Sequence, residues 1–287
     1  MNRLVSTPGL GILRNALTVN VEDYFQVPAL AAYFPHEVWA STPCRVEQNV
    51  DRILDSLARR GVAATFFVLG WVATRYPSLM QRIVGDGHEL ACHGYGHGHV
   101  GAMTPKAFRT DIVRAKALLE DFSGKPVLGY RAPNFSIGAG SPWAHDIIAE
   151  AGYRYSSSVY PVRHGQHGMP DAPRFPWRLP SGLIEIPPAT VRWGGRNWPA
   201  GGGAWFRWMP YEMSRWQIAR INRHDARAAV FYFHAWEIDP DQPRVWEAPL
   251  KTRLNHYFNL SRTEGRLRLL LDDFRWGRMD DVFRDIL

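Results

Sequence analysis

The chain has 287 residues, 46% of them apolar, which is enough for one large core and excludes intrinsic disorder. Its net charge of +7 suits an anionic partner such as an acidic glycan or a lipid phosphate, but no Lys/Arg block longer than two occurs, which argues against nucleic acid. Cys44 and Cys92 form no disulfide framework, no run of about 18 apolar residues is available for a membrane span, and Leu10-Gly11-Ile12-Leu13 is too short for a signal-peptide core. The expected location is therefore the cytoplasm, with a peripheral place at a membrane surface left open by the charge.

Residues 1–14 read as a loose leader. Ala16 to Val21 predicts a buried strand that ends in Glu22-Asp23. Thr42-Pro43 opens a helix with apolar residues at Val46, Val50, Ile53, Leu54 and Leu57, stopped by Gly61. Val62 to Leu69 predicts a second strand, and Pro77 starts a helix ending at Gly85. His88 to Cys92 is a third strand, Thr104-Pro105 begins a helix through Phe122, and Val127 to Tyr130 is a fourth strand. A helix from Ser141-Pro142 to about Ala151 precedes a fifth strand, Tyr153 to Ser156. Residues 161–182 and 187–210, rich in Pro, Gly, Trp and Arg, predict long functional loops around a sixth strand, Leu183 to Ile186. Pro210 opens a helix, and Ala228 to Phe233 is the seventh strand. Ser261-Arg262-Thr263-Glu264 fits a capping box for a helical tail.

Strand and helix alternate, which predicts a parallel sheet with helices outside, and the polar residues of interest fall just after the strands. His93 and His97 lie four apart on a glycine-rich turn, able to converge on one cation. Asp23, ending the first strand, can supply the hard oxygen, giving a two-His, one-carboxylate set with open positions for Zn²⁺, Fe²⁺, Co²⁺ or Mn²⁺. His99 is a spare ligand or an outer histidine. Cys92, pointing away along the strand, reads as a small buried residue rather than a nucleophile. The 12 tryptophans read equally as aromatic core or as stacking platforms for sugar rings.

The set Val21-Glu22-Asp23, Gly87-His88-Glu89-Leu90-Ala91-Cys92-His93-Gly94-Tyr95-Gly96-His97, Arg131-Ala132-Pro133-Asn134-Phe135 and Phe231-Tyr232-Phe233-His234 resembles the polysaccharide deacetylases, carbohydrate esterase family four, the NodB-like superfamily. The stretches Glu22 to Val27 and His234 to Pro240, with the Arg/Leu-rich tail, are similar to the branch found with exosortase-linked exopolysaccharide clusters. The resemblance implies an α/β fold, a deformed (β/α) barrel of about seven parallel strands. The barrel core would run from about 16 to 240 and a C-terminal helical extension from 241 to 287, in one domain. It implies a divalent metal, Zn or else Co, Mn or Fe, held by Asp23, His93 and His97. It further implies a base at Glu22, Arg131 holding that base, and His234 as general acid. The implied substrate is an N-acetylated amino-sugar glycan, an exopolysaccharide or its lipid-linked precursor.

Tyr24, Pro133, Phe135, Trp205, Arg207 and Trp236 are the expected substrate-binding residues. Two departures stand out. That branch tends to carry Asp where this chain has Asn20, which shares a strand face with Glu22; if the base belongs at position 20, an amide has replaced it. Ser156-Ser157-Ser158 stands where the family places an Asp to hold the acid histidine, leaving Asp171 as a substitute. The rival expectations are an allantoinase-like amidase and a glycan-binding pseudoenzyme.

Overall fold

The computed structural model describes residues 13–163 and 168–287, so the reading of residues 1–12 as a leader lies outside the described residues. The strands are β1 (Arg14–Val21), β2 (Thr65–Val68), β3 (Glu89–Cys92), β4 (Gly129–Tyr130), β5 (Tyr155–Ser156), β6 (Trp177–Arg178), β7 (Ile184–Glu185), β8 (Thr190–Trp193), β9 (Arg196–Pro199), β10 (Val230–His234) and β11 (Arg275–Gly277). The helices are α1 (Val46–Ala58), α2 (Gly70–Arg75), α3 (Pro77–Gly85), α4 (Pro105–Ser123), α5 (Trp143–Glu150), α6 (Gly203–Trp208), α7 (Tyr211–Arg220), α8 (Leu250–Tyr257), α9 (Leu260–Asp273) and α10 (Met279–Val282).

One sheet runs β10-β1-β2-β3-β4-β5-β7-β6, with β11 also on β1. The first seven are mutually parallel, and they are the seven strands read from the apolar runs; β6 joins β7 antiparallel. The sheet curls with helices outside into an incompletely closed (β/α) barrel. Between β7 and β10, backbone alone narrows the gap: Ala189 N–H donates to Val230 O at 2.9 Å and Tyr232 N–H to Gly201 O at 2.6 Å. Apolar residues of β1, β2 and β3 alternate between the core under the helices (Leu17, Val19, Phe66, Leu90) and the barrel interior (Ala16, Phe67, Ala91).

Two expectations are corrected. The stretch 187–210 is not loop throughout, for it contains the β8–β9 hairpin and α6. Gly194 and Gly195, at φ +58° and +73°, make its two-residue turn, which only a pair of positive φ values closes with the right twist. The tail helix does not use Ser261 as its cap. It begins at Leu260 behind Asn259 in the left-handed region, and Glu264 reaches instead to Arg52 at 2.6 Å.

Candidate metal centre and cleft

Strand parity decides which acid reaches the site. On β1 and its end, Asn20 and Glu22 face the histidines, while Asp23 turns away. Asp23 Oδ2 accepts from the backbone N–H of Arg45 at 2.6 Å and Val46 at 2.9 Å, and Oδ1 from Tyr24 N–H at 2.9 Å. Its carboxylate therefore caps α1, whose first amides have no other partner, and the turn after β1. The expectation that Asp23 is the metal carboxylate is corrected: its oxygens are spent on backbone amides. Burial pushes its carboxyl up to about 6 despite those amides.

Glu22 takes that place. Its Oε2 lies 2.6 Å from His97 Nε2 and 3.7 Å from His93 Nε2, and one ligand atom from each of the three side chains falls within 4.8 Å of the others. The short approach to His97 lacks hydrogen-bond geometry, so Glu22 Oε2 is a buried carboxylate oxygen with no hydrogen bond. Such an atom is costly unless a cation takes it. His93 Nδ1 donates to Arg131 O at 2.7 Å; because a carbonyl only accepts, this leaves a lone pair on Nε2, aimed at the group. Burial lowers His93 to about 4, so the ring is neutral and fit to ligate. Burial pushes the Glu22 carboxyl up, but the imidazoles of His97, His234 and His93 outweigh it and hold it well below the usual range. His97 sits in the left-handed region at φ 57°, a conformation a side chain adopts only when its surroundings impose it. The donor set, two imidazole nitrogens and one hard oxygen, fits a divalent ion of the zinc type.

The place expected for the base is also corrected. Arg131 is fully buried and touches no carboxylate; its Nη1 donates to Thr18 Oγ1 at 2.8 Å and to Asn20 Oδ1 at 2.9 Å, and its Nη2 to Ser157 Oγ at 3.0 Å. It stacks 4.0 Å over Phe67, and burial lowers it to about 9. Asn20, not Glu22, is thus the side chain that Arg131 holds beside the metal group, with Asn20 Nδ2 3.3 Å from His93 Nε2.

His234 stands beside the Glu22 carboxylate. Nδ1 donates to Glu237 Oε2 at 3.0 Å and Nε2 lies 3.7 Å from Glu22 Oε1. Burial lowers its pKa, yet Glu22 and Glu237 raise it more, for a net upward shift. Glu237, not Asp171, orients this histidine; Asp171 lines a different cavity. Sequence reasoning gave Glu237 no role, although an acid three residues after a strand-end histidine was its signal. Glu237 is paired in turn with Arg207 at 2.7 Å.

A cleft of about 420 Å³ opens over the group, lined by Asn20, His97, His99, His234, Trp236 and a wall of Phe135, Tyr160 and Tyr232. Phe135 packs 5.3 Å from Tyr160 and 4.9 Å from Tyr232. Nothing in the sequence singled out Tyr160 or His256, which also line it. Of the expected substrate residues, Phe135 and Trp236 line the cleft, and Trp236 Nε1–H also donates to Glu22 Oε1 at 3.2 Å. Arg207 borders it, but its guanidinium is committed to Glu237 and to the carbonyls of Asn255, His256 and Phe258. Tyr24 is buried in a separate apolar cluster, Pro133 sits under the turn that presents Phe135, and Trp205 faces another groove. Tyr24, Pro133 and Trp205 thus stand outside the cleft lining, whereas Arg207 is part of it.

Fold and site together define a barrel hydrolase scaffold with a His/His/carboxylate centre at the strand ends. Residues 39–156 match the polysaccharide deacetylase family, and residues 157–284 match a domain of unknown function (DUF3473). Residues 39–156 thus carry a polysaccharide deacetylase segment, somewhat under half of the chain. The chain is 29% identical over 113 residues to a peptidoglycan deacetylase of Helicobacter pylori, covering 39% of this chain and 38% of that one. It is 33% identical over 73 residues to a peptidoglycan-N-acetylglucosamine deacetylase of Bacillus cereus (25% and 26%), and 27% identical over 97 residues to a chitooligosaccharide deacetylase of Bradyrhizobium (34% and 42%). The chain thus spans well under two thirds of these relatives. The fold matches that of a candidate polysaccharide deacetylase from Mycobacterium smegmatis at TM-score 0.63, with 22% identity over 98% of this chain and 92% of that one. It matches the Puue allantoinase at 0.61, with 16% identity over 97% and 91%.

Proposed function

We propose that this protein is a metal-dependent hydrolase that removes N-acetyl groups from an amino-sugar glycan, an exopolysaccharide or its lipid-linked precursor. The observation that carries the reading is the buried Glu22 Oε2, without a hydrogen bond and close to two imidazole nitrogens, one of which, on His97, belongs to a side chain lining an aromatic-walled cleft. Glu22, His93 and His97 would hold the ion, which when bound polarises an acetamide carbonyl and acidifies a water. The chain's own residues do the rest. Phe135, Tyr160, Tyr232 and Trp236 offer apolar faces to a sugar ring. His234, whose pKa Glu22 and Glu237 raise and whose ring Glu237 orients, supplies the proton that an amine needs in order to leave.

A specific observation favours a second reading, a glycan-binding protein that does not turn over. Arg131 presents an amide, Asn20, where it would hold a carboxylate, and among the described residues of the cleft lining none is Asp or Glu. An amide takes no proton from water, so imidazoles are left to do so.

Acetate release from N-acetylated chitooligosaccharides, measured with Zn²⁺ or Co²⁺, separates the two. Under the first reading the wild type releases acetate, and His234→Ala lowers the rate by about 10²–10⁴. Under the second, the metal-loaded wild type binds the oligosaccharide without releasing acetate, and Asn20→Asp confers release. Turnover of allantoin in place of the sugar would contradict both.

A further inference from the structure

Away from the cleft, the β8–β9 hairpin divides two surfaces. Val191 pairs with Trp198 and Trp193 with Arg196, so one face of the hairpin carries Val191, Trp193 and Trp198. That face, with α6 and α7, forms a groove of about 650 Å³ walled by Trp193, Trp198, Trp205, Met209, Met213 and Trp216. Four of these are well exposed: Trp193 at 68%, Trp216 at 46%, Met213 at 41% and Trp198 at 39%. So many large apolar side chains around one groove is more than scattered surface exposure explains, and marks an interaction site.

The chemistry of the groove selects its occupant. A sugar platform needs hydrogen-bonding groups beside its rings, and here those groups are spent. Trp198 Nε1–H donates to Trp193 O, Trp205 Nε1–H to Gln217 Oε1, and Gln217 Nε2–H to Pro199 O. The Glu212 carboxylate lies 3.7 Å from Arg215. The rest of the groove is hydrocarbon apart from Glu212, whose carboxylate is exposed. The rim is cationic. Arg196, cross-strand from Trp193 and so on its face, is exposed without an ion pair among the described residues, and Arg220 lies 6.0 Å from the Trp216 ring. A second copy of the chain would bring the same arginines face to face, so like charge opposes self-association there.

We infer that this tryptophan–arginine face docks the protein onto an anionic phospholipid bilayer. The indoles enter the boundary between headgroups and acyl chains, where amphipathic rings partition, and Arg196 and Arg220 meet lipid phosphates. Helix α6 links this face to the cleft, since Ala204 lines the cleft and Trp205 the groove. Docking would therefore hold the cleft mouth close to the membrane. The inference does not depend on whether the cleft hydrolyses anything.

Co-sedimentation of the full chain with vesicles of phosphatidylcholine, with and without phosphatidylglycerol, tests it. The expected result is binding to the phosphatidylglycerol vesicles, at least about tenfold weaker to phosphatidylcholine alone and weakened by salt. Trp193→Ser with Trp216→Ser, and separately Arg196→Glu with Arg220→Glu, should each reduce binding about tenfold or more while circular dichroism is unchanged. The inference is overturned if the wild type stays in the supernatant. It is overturned equally if both double variants bind as the wild type does. A concentration-dependent dimer that the tryptophan variant abolishes, without vesicle binding by the wild type, would assign the face to self-association instead.

Discussion

Glu22 and Asp23 are adjacent acids at the end of one strand, and backbone parity gives them opposite jobs. Glu22 shares a face with Asn20 and points among the histidines; Asp23 points away and caps α1. The common face of Asn20 and Glu22 was legible from the alternation of an extended chain. The reading of Asp23 as the oxygen donor rested first on its place at the strand end; in the structure it is Glu22 that lies with the histidines, while the Asp23 oxygens accept from backbone amides. A second buried acid, Glu89, shows what enclosure does without a cation. It accepts from Thr65 Oγ1 at 2.6 Å and Tyr155 Oη at 2.7 Å, and burial raises it to about 7. With the folded pKa above the unfolded one, its contribution to stability is fully present below about 4.5 and is lost as pH rises through about 7. Buried His88, lowered to about 4, works in the opposite sense over much of that range, so the signature lies in the difference between variants. Glu89→Gln should gain stability relative to the wild type between pH 4.5 and 8, by at most about 3 kcal/mol at 1.36 kcal/mol per pK unit. Urea denaturation at the two pH values measures this; an unchanged difference would contradict it.

Among the elements, strands were easier to read than loops. The seven parallel strands are short apolar runs bounded by turn residues, and all seven were found. The β8–β9 hairpin was missed although Thr-Val-Arg-Trp alternates polar and apolar residues, because each strand is only four residues long; the Gly194-Gly195 pair between them was the turn signal. The three glycines that follow are fixed for a different reason. Gly202, at φ 115°, runs so close to β10 that a Cβ would stand 1.9 Å from Tyr232 O. Backbone cannot yield there as a side-chain tip would. Gly202→Ala should therefore cost on the order of 3–5 kcal/mol and displace Tyr232 from the cleft wall. Gly140→Ala, where no atom lies within 4 Å of the added Cβ, should cost little and serves as the control. Thermal melting of the two variants gives the comparison.

In the molecule as a whole, the site belongs to no single stretch. Glu22 precedes both matched segments, His93, His97 and Arg131 lie in the polysaccharide deacetylase segment, and His234, Trp236 and Glu237 lie in the domain of unknown function. The β-sheet explains how they meet: β10 lies beside β1, β1 beside β2, and β2 beside β3, so that four strand ends surround one cleft. Pairing of β10 with β1 runs through five residues, Ala16 to Asn20, and ends by placing Asn20 opposite His234. The late histidine was visible in the sequence as the end of an apolar run. Glu237, which orients it, and Tyr160, which walls the cleft, depend on contacts that no local pattern encodes.

The account turns on Glu22 joining His93 and His97 around one ion. Isothermal titration of Zn²⁺ into metal-free protein, with Co²⁺ absorption as a second readout, compares the wild type with Glu22→Gln and Asp23→Asn. The account predicts one ion per chain in the wild type, binding lost or weakened about 100-fold or more in Glu22→Gln, and binding kept in Asp23→Asn, whose deficit appears as a lower melting temperature. Wild-type affinity in Glu22→Gln together with loss in Asp23→Asn would contradict it.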